Sequence, residues 1–300
     1  MSRPIALGER TRMAKPKTRP RDRIEDLAFR ALISSALALP YPARVRAMGT
    51  FADTVVAPLA GWRDRIRANL AHVRPDLPES ETKRLIHAVP NNVGRTLIEN
   101  YDTVGLLARG KSQSLEGDGL ADLEAARRDG RPAILATGHF GNYEVPRAAL
   151  VAQGYQVGAL YRPMSNAFID RHYAQTIKGF GGPVVSQGQK GTAAFIRALR
   201  DGRMMVLLFD LHVFGAPRMD FLGKPARTAV SAAKMALRHD ALLIPFFGVR
   251  NPDGLTFRAI FDAPIPPSDP ETMTAELNAR LGARIDATPE QWFWIHRRWK

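Results

Sequence analysis

The chain is 300 residues long, contains no cysteine, and is 45% hydrophobic and 24% charged. This composition is typical of a globular protein with a real core and excludes disorder over the bulk of the chain. The lack of cysteine excludes disulfides, thiolate metal sites and cysteine nucleophiles. The formal net charge of +14 predicts anionic partners such as phospholipid headgroups, phosphorylated substrates or an acidic protein. Nucleic acid is disfavoured because the basic residues are spread along the chain without a familiar binding motif.

The first third of the chain divides into two segments. Residues 1–23 are rich in Arg, Lys and Pro and predict a disordered basic arm, whereas residues 24–109 predict helices. The most apolar stretch, 27–39, is interrupted by Arg30 and is shorter than the roughly 20 residues that span a bilayer. It predicts a helix that lies either on a membrane or against the rest of the protein, and the pattern leaves both open.

From about residue 120 the chain alternates between short apolar runs and helical patterns. The predicted strands cover 132–137, 155–161, 184–185, 204–209, 241–248 and 256–262, and the predicted helices cover 120–129, 143–153, 166–179, 190–200 and 228–239 before a helical C-terminal end. This alternation indicates an α/β fold with a largely parallel central sheet flanked by helices. We therefore assign residues 110–300 to an α/β core, integrated with the helical region into one domain over 24–300.

The motif His139-Phe140-Gly141-Asn142-Tyr143-Glu144 lies between a predicted strand and a predicted helix. Active sites of such sheets gather where strands end, so His139 is a candidate general base. Glu144 is its candidate partner if the chain folds back at Gly141 and Asn142 caps the helix. A buried histidine beside a surface glutamate explains the pattern equally well. A metal is disfavoured because no second histidine is near, and a serine hydrolase because no Gly-x-Ser-x-Gly occurs.

The motif resembles the H-x4-[DE] motif of the bacterial lipid A biosynthesis late acyltransferases, the lauroyl/myristoyl family. Three further blocks resemble that family in the same order. They are 161–166 (YRPMSN), 207–210 with 221–228 (LLFD and FLGKPART), and 289–299 (PEQWFWIHRRW). The resemblance therefore spans about 25–300. Two features depart from the family: Leu211 follows Asp210 where Gln is frequent, and the N-terminal apolar segment is short and broken.

The resemblance implies an acyltransferase core like that of glycerolipid acyltransferases. It implies transfer of a fatty acyl chain from acyl carrier protein to a hydroxyl of a lipid A precursor, at the cytoplasmic face of the inner membrane. His139 is then the base and Glu144 its partner, with no metal and no cofactor. Arg162 is expected to hold the donor or stabilise the developing oxyanion. Asp210 and Asn142 join the predicted substrate-binding set, although the residues alone suggest only an Arg or Lys partner for Asp210.

Several alternatives remain open from the sequence. The acceptor is a lipid A precursor, or else another glycolipid or a lysophospholipid. A different class of function is a non-catalytic, basic membrane-binding protein. The short apolar segment favours peripheral attachment to an anionic membrane, helped by the basic arm. The Trp-rich C-terminal end predicts either a contact at the headgroup level or packing of a terminal helix into the core.

Overall fold

The computed structural model describes residues 19–300, so residues 1–18 of the predicted basic arm lie outside the described residues. The helical region begins at Pro20, before the predicted end of the arm, because proline fits the first turn of a helix. Its helices are α1 (Pro20–Leu37), α2 (Tyr41–Phe51), α3 (Ala57–Leu59), α4 (Trp62–Val73), α5 (Glu79–Tyr101) and α6 (Thr103–Gly110), with a π-helical stretch at Ala52–Val56.

The rest of the chain alternates strands and helices as predicted. Its elements are β1 (Leu115–Glu116), α7 (Leu120–Asp129), β2 (Ala133–Thr137), α8 (Glu144–Ala152), β3 (Val157–Tyr161), α9 (Ala167–Gly179), β4 (Val184–Ser186), α10 (Gln189–Arg200), β5 (Met204–Leu208), β6 (Arg218–Phe221), β7 (Lys224–Arg227), α11 (Ser231–Arg238), β8 (Leu242–Arg250), β9 (Phe257–Phe261) and α12 (Pro270–Ala287). A short 3₁₀ turn, Pro289–Gln291, precedes the C-terminal segment.

A seven-stranded sheet in the order β1-β9-β8-β2-β5-β3-β4 forms the centre of the fold. The strands from β8 to β4 run parallel, while β9 is antiparallel to β8. Every residue of β2 is buried, as expected for a central strand covered by helices on both faces. The predicted α/β fold with a largely parallel sheet is therefore confirmed.

Two features of the sheet region were missed. The strand β1 has only two residues, too few to give a pattern. The hairpin β6–β7 falls in a segment that the sequence predicts to be a loop, and its strands have four residues each. Its turn places Leu222 and Gly223 at positive φ (56° and 76°). Leucine is rare in that conformation, and the usual turn signal of Asn-Gly or Asp-Gly is absent. No local pattern therefore indicates the hairpin.

The C-terminal segment packs into the core. Trp292 and Trp294 are 1% and 0% exposed, and their rings meet edge to face at 4.8 Å. Trp299 stacks on Trp294 at 6.2 Å and on Phe221 at 5.9 Å. The prediction that this cluster lies at the headgroup level is wrong for the two buried tryptophans, because their apolar surface is covered by protein. The segment beyond Gln291 is also not helical.

Helix α1 is attached to the body of the protein along one side only. Its Ile33 and Ala36 are buried, while Ile24 and Leu27 are 68% and 66% exposed. The side-chain amide of Asn166, at the start of α9, donates to the carbonyl of Asp22 at 3.0 Å. No helix within residues 19–300 combines the length and the apolar character that crossing a membrane requires.

Candidate active site

His139 lies in the loop between β2 and α8, at the carboxyl edge of the sheet. Backbone hydrogen bonds fix this loop to two distant segments. The Gly141 amide donates to the Gln291 carbonyl at 2.8 Å, and the Phe293 amide donates to the His139 carbonyl at 3.0 Å. The Asn142 amide donates to the Gly248 carbonyl of β8 at 2.9 Å. The loop that carries the histidine is therefore fixed on both sides by backbone hydrogen bonds.

Gly141 makes the predicted fold-back of the chain possible. Its φ is +55°, and a Cβ at this position would lie 2.0 Å from the Gly248 carbonyl oxygen. Only glycine combines this conformation with such a close approach between two backbones. The fold therefore requires glycine at this position of the motif, because any side chain would clash with the backbone of β8.

The carboxylate beside His139 is that of Asp210, which follows β5. Asp210 Oδ1 lies 2.7 Å from His139 Nδ1, and Asp210 Oδ2 accepts the His139 backbone amide at 2.8 Å. Trp292 Nε1 also donates to Oδ2, at 3.0 Å. A carboxylate at this position binds the Nδ1–H tautomer, which leaves Nε2 as the proton acceptor. The pair has the arrangement of a general base and its orienting carboxylate.

Asp210 is 2% exposed, yet its surroundings keep it ionised. Burial alone would raise the pKa of this carboxyl. The charge of His139 and the three donated hydrogen bonds outweigh burial and lower the pKa to about 2. The His139 side chain is 27% exposed and remains reachable from the pocket in front of it.

The predicted pairing of Glu144 with His139 is wrong. Glu144 Oε2 instead accepts from Arg147 Nη1 at 2.9 Å, one helical turn along α8, and both side chains are almost fully buried. The other amino group of Arg147 donates to the Gly181 carbonyl at 2.9 Å. A short distance along the sequence favoured Glu144, but the first turn of α8 directs its carboxylate toward its own helix. Glu144 therefore contributes to how the helix is anchored.

Two residues of the predicted substrate-binding set are also placed differently. Asp210 lies behind His139, where its oxygens are occupied by protein donors. Asn142 is 0% exposed. Its side chain donates to Glu99 Oε2 at 3.0 Å and accepts the Glu144 amide at 3.1 Å. The predicted capping role agrees with the second contact, although α8 begins at Glu144. Neither side chain is open to a substrate.

Arg162 directly follows β3 and is exposed. Because β3 and β2 flank β5 in a parallel sheet, Arg162 and His139 emerge at the same edge, about 10 Å apart at the strand spacing. No ion pair of Arg162 occurs among residues 19–300. Its role as a ligand for the donor or the oxyanion remains a prediction.

A pocket of ≈ 130 Å³ opens in front of His139. Its walls are mainly apolar and aromatic, and they are formed by α5, the motif loop, α9 and the C-terminal segment. They include Val93, Leu97, Tyr143, Tyr173, Trp292 and Phe293. The His139 ring lies 5.8 Å, centroid to centroid, from both Tyr143 and Phe293. An apolar group placed here would contact the His139 side chain.

Two further histidines, His212 and His296, contact each other beside the site. His296 Nε2 accepts the backbone amide of His212 at 2.9 Å. Burial lowers the pKa of His296 to about 4, so this ring is neutral at pH 7 and acts as an acceptor. The pairing of His212 with His296 was not predicted.

The pairing of Asp210 with His139 has a signal that could have been found. The strands β2 and β5 are parallel neighbours, with Thr137 opposite Leu208. Each of the two side chains comes two residues after its paired position. Adjacent parallel strands bring such positions together at one edge of the sheet. The strand order that makes β2 and β5 neighbours was not predicted.

Comparisons with known proteins identify the family of the chain. The family described as bacterial lipid A biosynthesis acyltransferase matches residues 15–300. A lipid A biosynthesis lauroyltransferase of Escherichia coli is 28% identical over 87% of this chain and 87% of its own length. A lipid A biosynthesis acyltransferase of Haemophilus influenzae is 27% identical over 78% and 74%. A phosphatidylinositol mannoside acyltransferase of Mycobacterium tuberculosis is 28% identical over 80% and 78%.

Proposed function

Because the chain belongs to the bacterial lipid A biosynthesis acyltransferase family, we propose that it transfers a fatty acyl chain from acyl carrier protein to a hydroxyl of a lipid A precursor. The observation that carries this proposal is the His139–Asp210 pair, with His139 in the wall of an apolar pocket. The family and the names of its relatives make the chain an acyltransferase. The non-catalytic alternative is therefore dropped.

In the proposed reaction, His139 Nε2 takes the proton of the acceptor hydroxyl as its oxygen attacks the thioester carbonyl. Asp210 stabilises the imidazolium that forms. The tetrahedral intermediate then collapses, the carbon–sulfur bond breaks, and the proton moves from His139 to the departing thiolate. An ester and a free thiol result, and no covalent enzyme intermediate is required. Arg162 is the candidate cation for the charge on the carbonyl oxygen.

Glu144 enters the proposed mechanism as a positioning residue. Its carboxylate fixes Arg147, and Arg147 bonds the Gly181 carbonyl, so the first turn of α8 is tied to the neighbouring loop. The motif loop joins His139 to this turn. Loss of Glu144 is expected to move the loop and not to remove the group that orients the base.

Attachment to the membrane surface is part of the proposal because the acceptor is a lipid. Exposed apolar side chains at the carboxyl edge of the sheet support it. Phe214 is 92% exposed and Val213 is 40% exposed, in the loop that follows Asp210. Burying a phenylalanine stabilises a contact with the acyl region. A Phe214→Ser variant is expected to bind anionic vesicles more weakly than the wild type in a flotation assay, and unchanged binding would contradict this surface.

A second acceptor class, another glycolipid, is favoured by one relative. The Mycobacterium tuberculosis protein is named for a phosphatidylinositol mannoside. The purified enzyme should therefore be offered acyl carrier protein thioesters together with a lipid A precursor, this glycolipid or a lysophospholipid, with products read by mass spectrometry. Acylation of the lipid A precursor alone supports the first assignment. Acylation of the mannoside alone would replace it, and transfer to a lysophospholipid alone would contradict both.

A further inference from the structure

A second and larger cavity lies next to the pocket of His139. It measures ≈ 860 Å³, within the range of small-ligand sites. The two cavities share Asn92 and Gln291 as a common wall. The Gln291 carboxamide bonds both the amide and the carbonyl of Arg250, at 2.8 and 2.9 Å. We refer to this cavity as the basic cleft.

One wall of the basic cleft is a single face of α5. Lys83, His87, Asn91 and Arg95 follow one another at intervals of four residues, so their side chains form one row along the helix. At 1.5 Å per residue the row is about 18 Å long. The opposite wall comes from the end of β8, the loop after it and the 3₁₀ turn.

Positive charge dominates the lining of the basic cleft. Two carboxylates, Asp53 and Glu290, face five permanent cations. These cations are Lys83, Arg84, Arg95, Arg250 and Arg258. Three of the five are paired with a carboxylate inside or beside the cleft: Arg84 with Glu290 and Glu81, Arg250 with Glu99, and Arg258 with Glu116. Asp53 is shared by Arg63 and His87.

Lys83 and Arg95 are the cations of the cleft that have no carboxylate partner among residues 19–300. Arg95 bonds only neutral oxygens, namely Asn91 Oδ1 at 2.6 Å and the Gly254 carbonyl at 3.1 Å. Burial, and then the like charge of Arg250, lower the pKa of Arg95 and outweigh the opposite effect of Glu99. A group of cations held together in this way stabilises any anion that enters.

The basic cleft and His139 lie at the ends of two adjacent strands. The strand β8, which ends at Arg250, is the parallel neighbour of β2. Gly141 of the motif loop pairs with Gly248, two residues before Arg250. A molecule bound in the cleft is therefore separated from the base by one layer of side chains, Asn92 and Gln291.

We propose that the basic cleft binds the phosphate-bearing headgroup of the acceptor lipid, with Lys83 and Arg95 as its phosphate ligands. The inference rests on the proposed function for the identity of the ligand. A concave cavity of this size fits a headgroup and does not fit the surface of a folded acidic protein. Arginine and lysine together suit phosphate, since arginine offers paired donors and lysine a point charge.

The test compares two double variants. Lys83→Gln/Arg95→Gln removes the two proposed phosphate ligands, and Lys178→Gln/Arg200→Gln removes the same charge from the ends of α9 and α10, at the opposite edge of the sheet. The first variant is expected to raise KM for the phosphorylated acceptor about tenfold to a hundredfold, as loss of hydrogen bonds to a charged group predicts, with kcat within about twofold of wild type. The control variant keeps the wild-type KM. Circular dichroism verifies folding, and the exposed Lys83→Gln alone serves as a milder variant.

Two results of this comparison would overturn the proposal. One is an unchanged KM for the acceptor in the Lys83→Gln/Arg95→Gln variant. The other is a raised KM for acyl carrier protein, which would make the cleft a docking surface for the donor. A phosphatase-treated acceptor is expected to bind wild type and variant equally, and a tenfold difference between them would also contradict a phosphate site.

Calorimetric titration with inorganic pyrophosphate separates this proposal from the proposed function. Binding to the wild type but not to the double variant supports the cleft even if no lipid is acylated, in which case the proposed function alone fails. Acylation of a lipid A precursor without pyrophosphate binding, and with unchanged KM in the variant, overturns the cleft alone.

Discussion

Replacing Asp210 with Asn changes the polarity of a single contact while the shape is kept. Asp210 Oδ2 accepts from the His139 amide and from Trp292 Nε1, so the amide oxygen of Asn is expected to take this position. The new NH₂ group then faces His139 Nδ1, where Oδ1 lay at 2.7 Å. The ring must present Nδ1 as an acceptor and carry its proton on Nε2. Nε2, the nitrogen proposed to act as the base, can then no longer accept a proton.

The size of the effect follows from the role of the base. A positioned general base contributes about 10²–10⁴-fold to rate, which is about 2.7–5.4 kcal/mol of activation free energy. Asp210→Asn is expected to lower kcat by a factor in this range and to leave KM for both substrates nearly unchanged. Two of the three hydrogen bonds to Asp210 are kept, so the loss of stability should be limited to about 1–3 kcal/mol.

Glu144→Gln is the matched comparison, because it makes the same chemical change in the motif itself. It breaks the buried pair with Arg147 and is expected to cost about 3–5 kcal/mol of stability. Its activity per folded molecule should exceed that of Asp210→Asn. Steady-state kinetics and thermal unfolding of both variants decide the question. A normal kcat in Asp210→Asn, with a large drop in stable, folded Glu144→Gln, would refute the reasoning and restore the pairing expected from the sequence.

Three further predictions concern the loop, the histidine pair and the arginine. Gly141→Ala should destabilise the protein by at least about 1–3 kcal/mol and lower kcat, because a Cβ meets the Gly248 carbonyl; a wild-type melting temperature would contradict this. His296 has a pKa lowered to about 4, so the folded state binds fewer protons than the unfolded state between pH 6.5 and 4, and stability falls as pH drops through that window. The wild type should lose about 1–2 kcal/mol from pH 6.5 to 5, whereas His296→Gln should show a flatter profile in urea titrations, and identical slopes would exclude this histidine as the cause. Arg162→Gln should lower kcat/KM about tenfold to a hundredfold, and unchanged kinetics would remove it from the site.

The fold was largely predictable because its signals are local. Alternating apolar runs and helical patterns gave the elements from α7 to β9 apart from the hairpin β6–β7, and the motif placed His139 at a strand end. The partner of the base was not predictable in the same way. His139 and Asp210 are 71 positions apart and meet only because β2 and β5 are neighbours. Proximity along the sequence pointed to Glu144, whose own helix supplies a different partner.

The same limit applies to the tryptophan-rich end and to the basic cleft. A Trp-rich, basic segment suits both a membrane interface and a core, and the burial of Trp292 and its packing against Phe221 distinguish the two. The net charge of +14 predicted anionic partners without locating them. The row of side chains along α5 can be identified as one wall of a cleft only from the structure, in which the end of β8 forms the other wall.

The central claim is that His139 is the general base of an acyl transfer. The most direct test is the rate at which purified His139→Ala moves an acyl chain from acyl carrier protein to a lipid A precursor. The side chain is partly exposed at the edge of the sheet, so the variant is expected to fold. We expect a kcat reduced by about 10²–10⁴-fold with unchanged circular dichroism. Turnover within about twofold of wild type would contradict it.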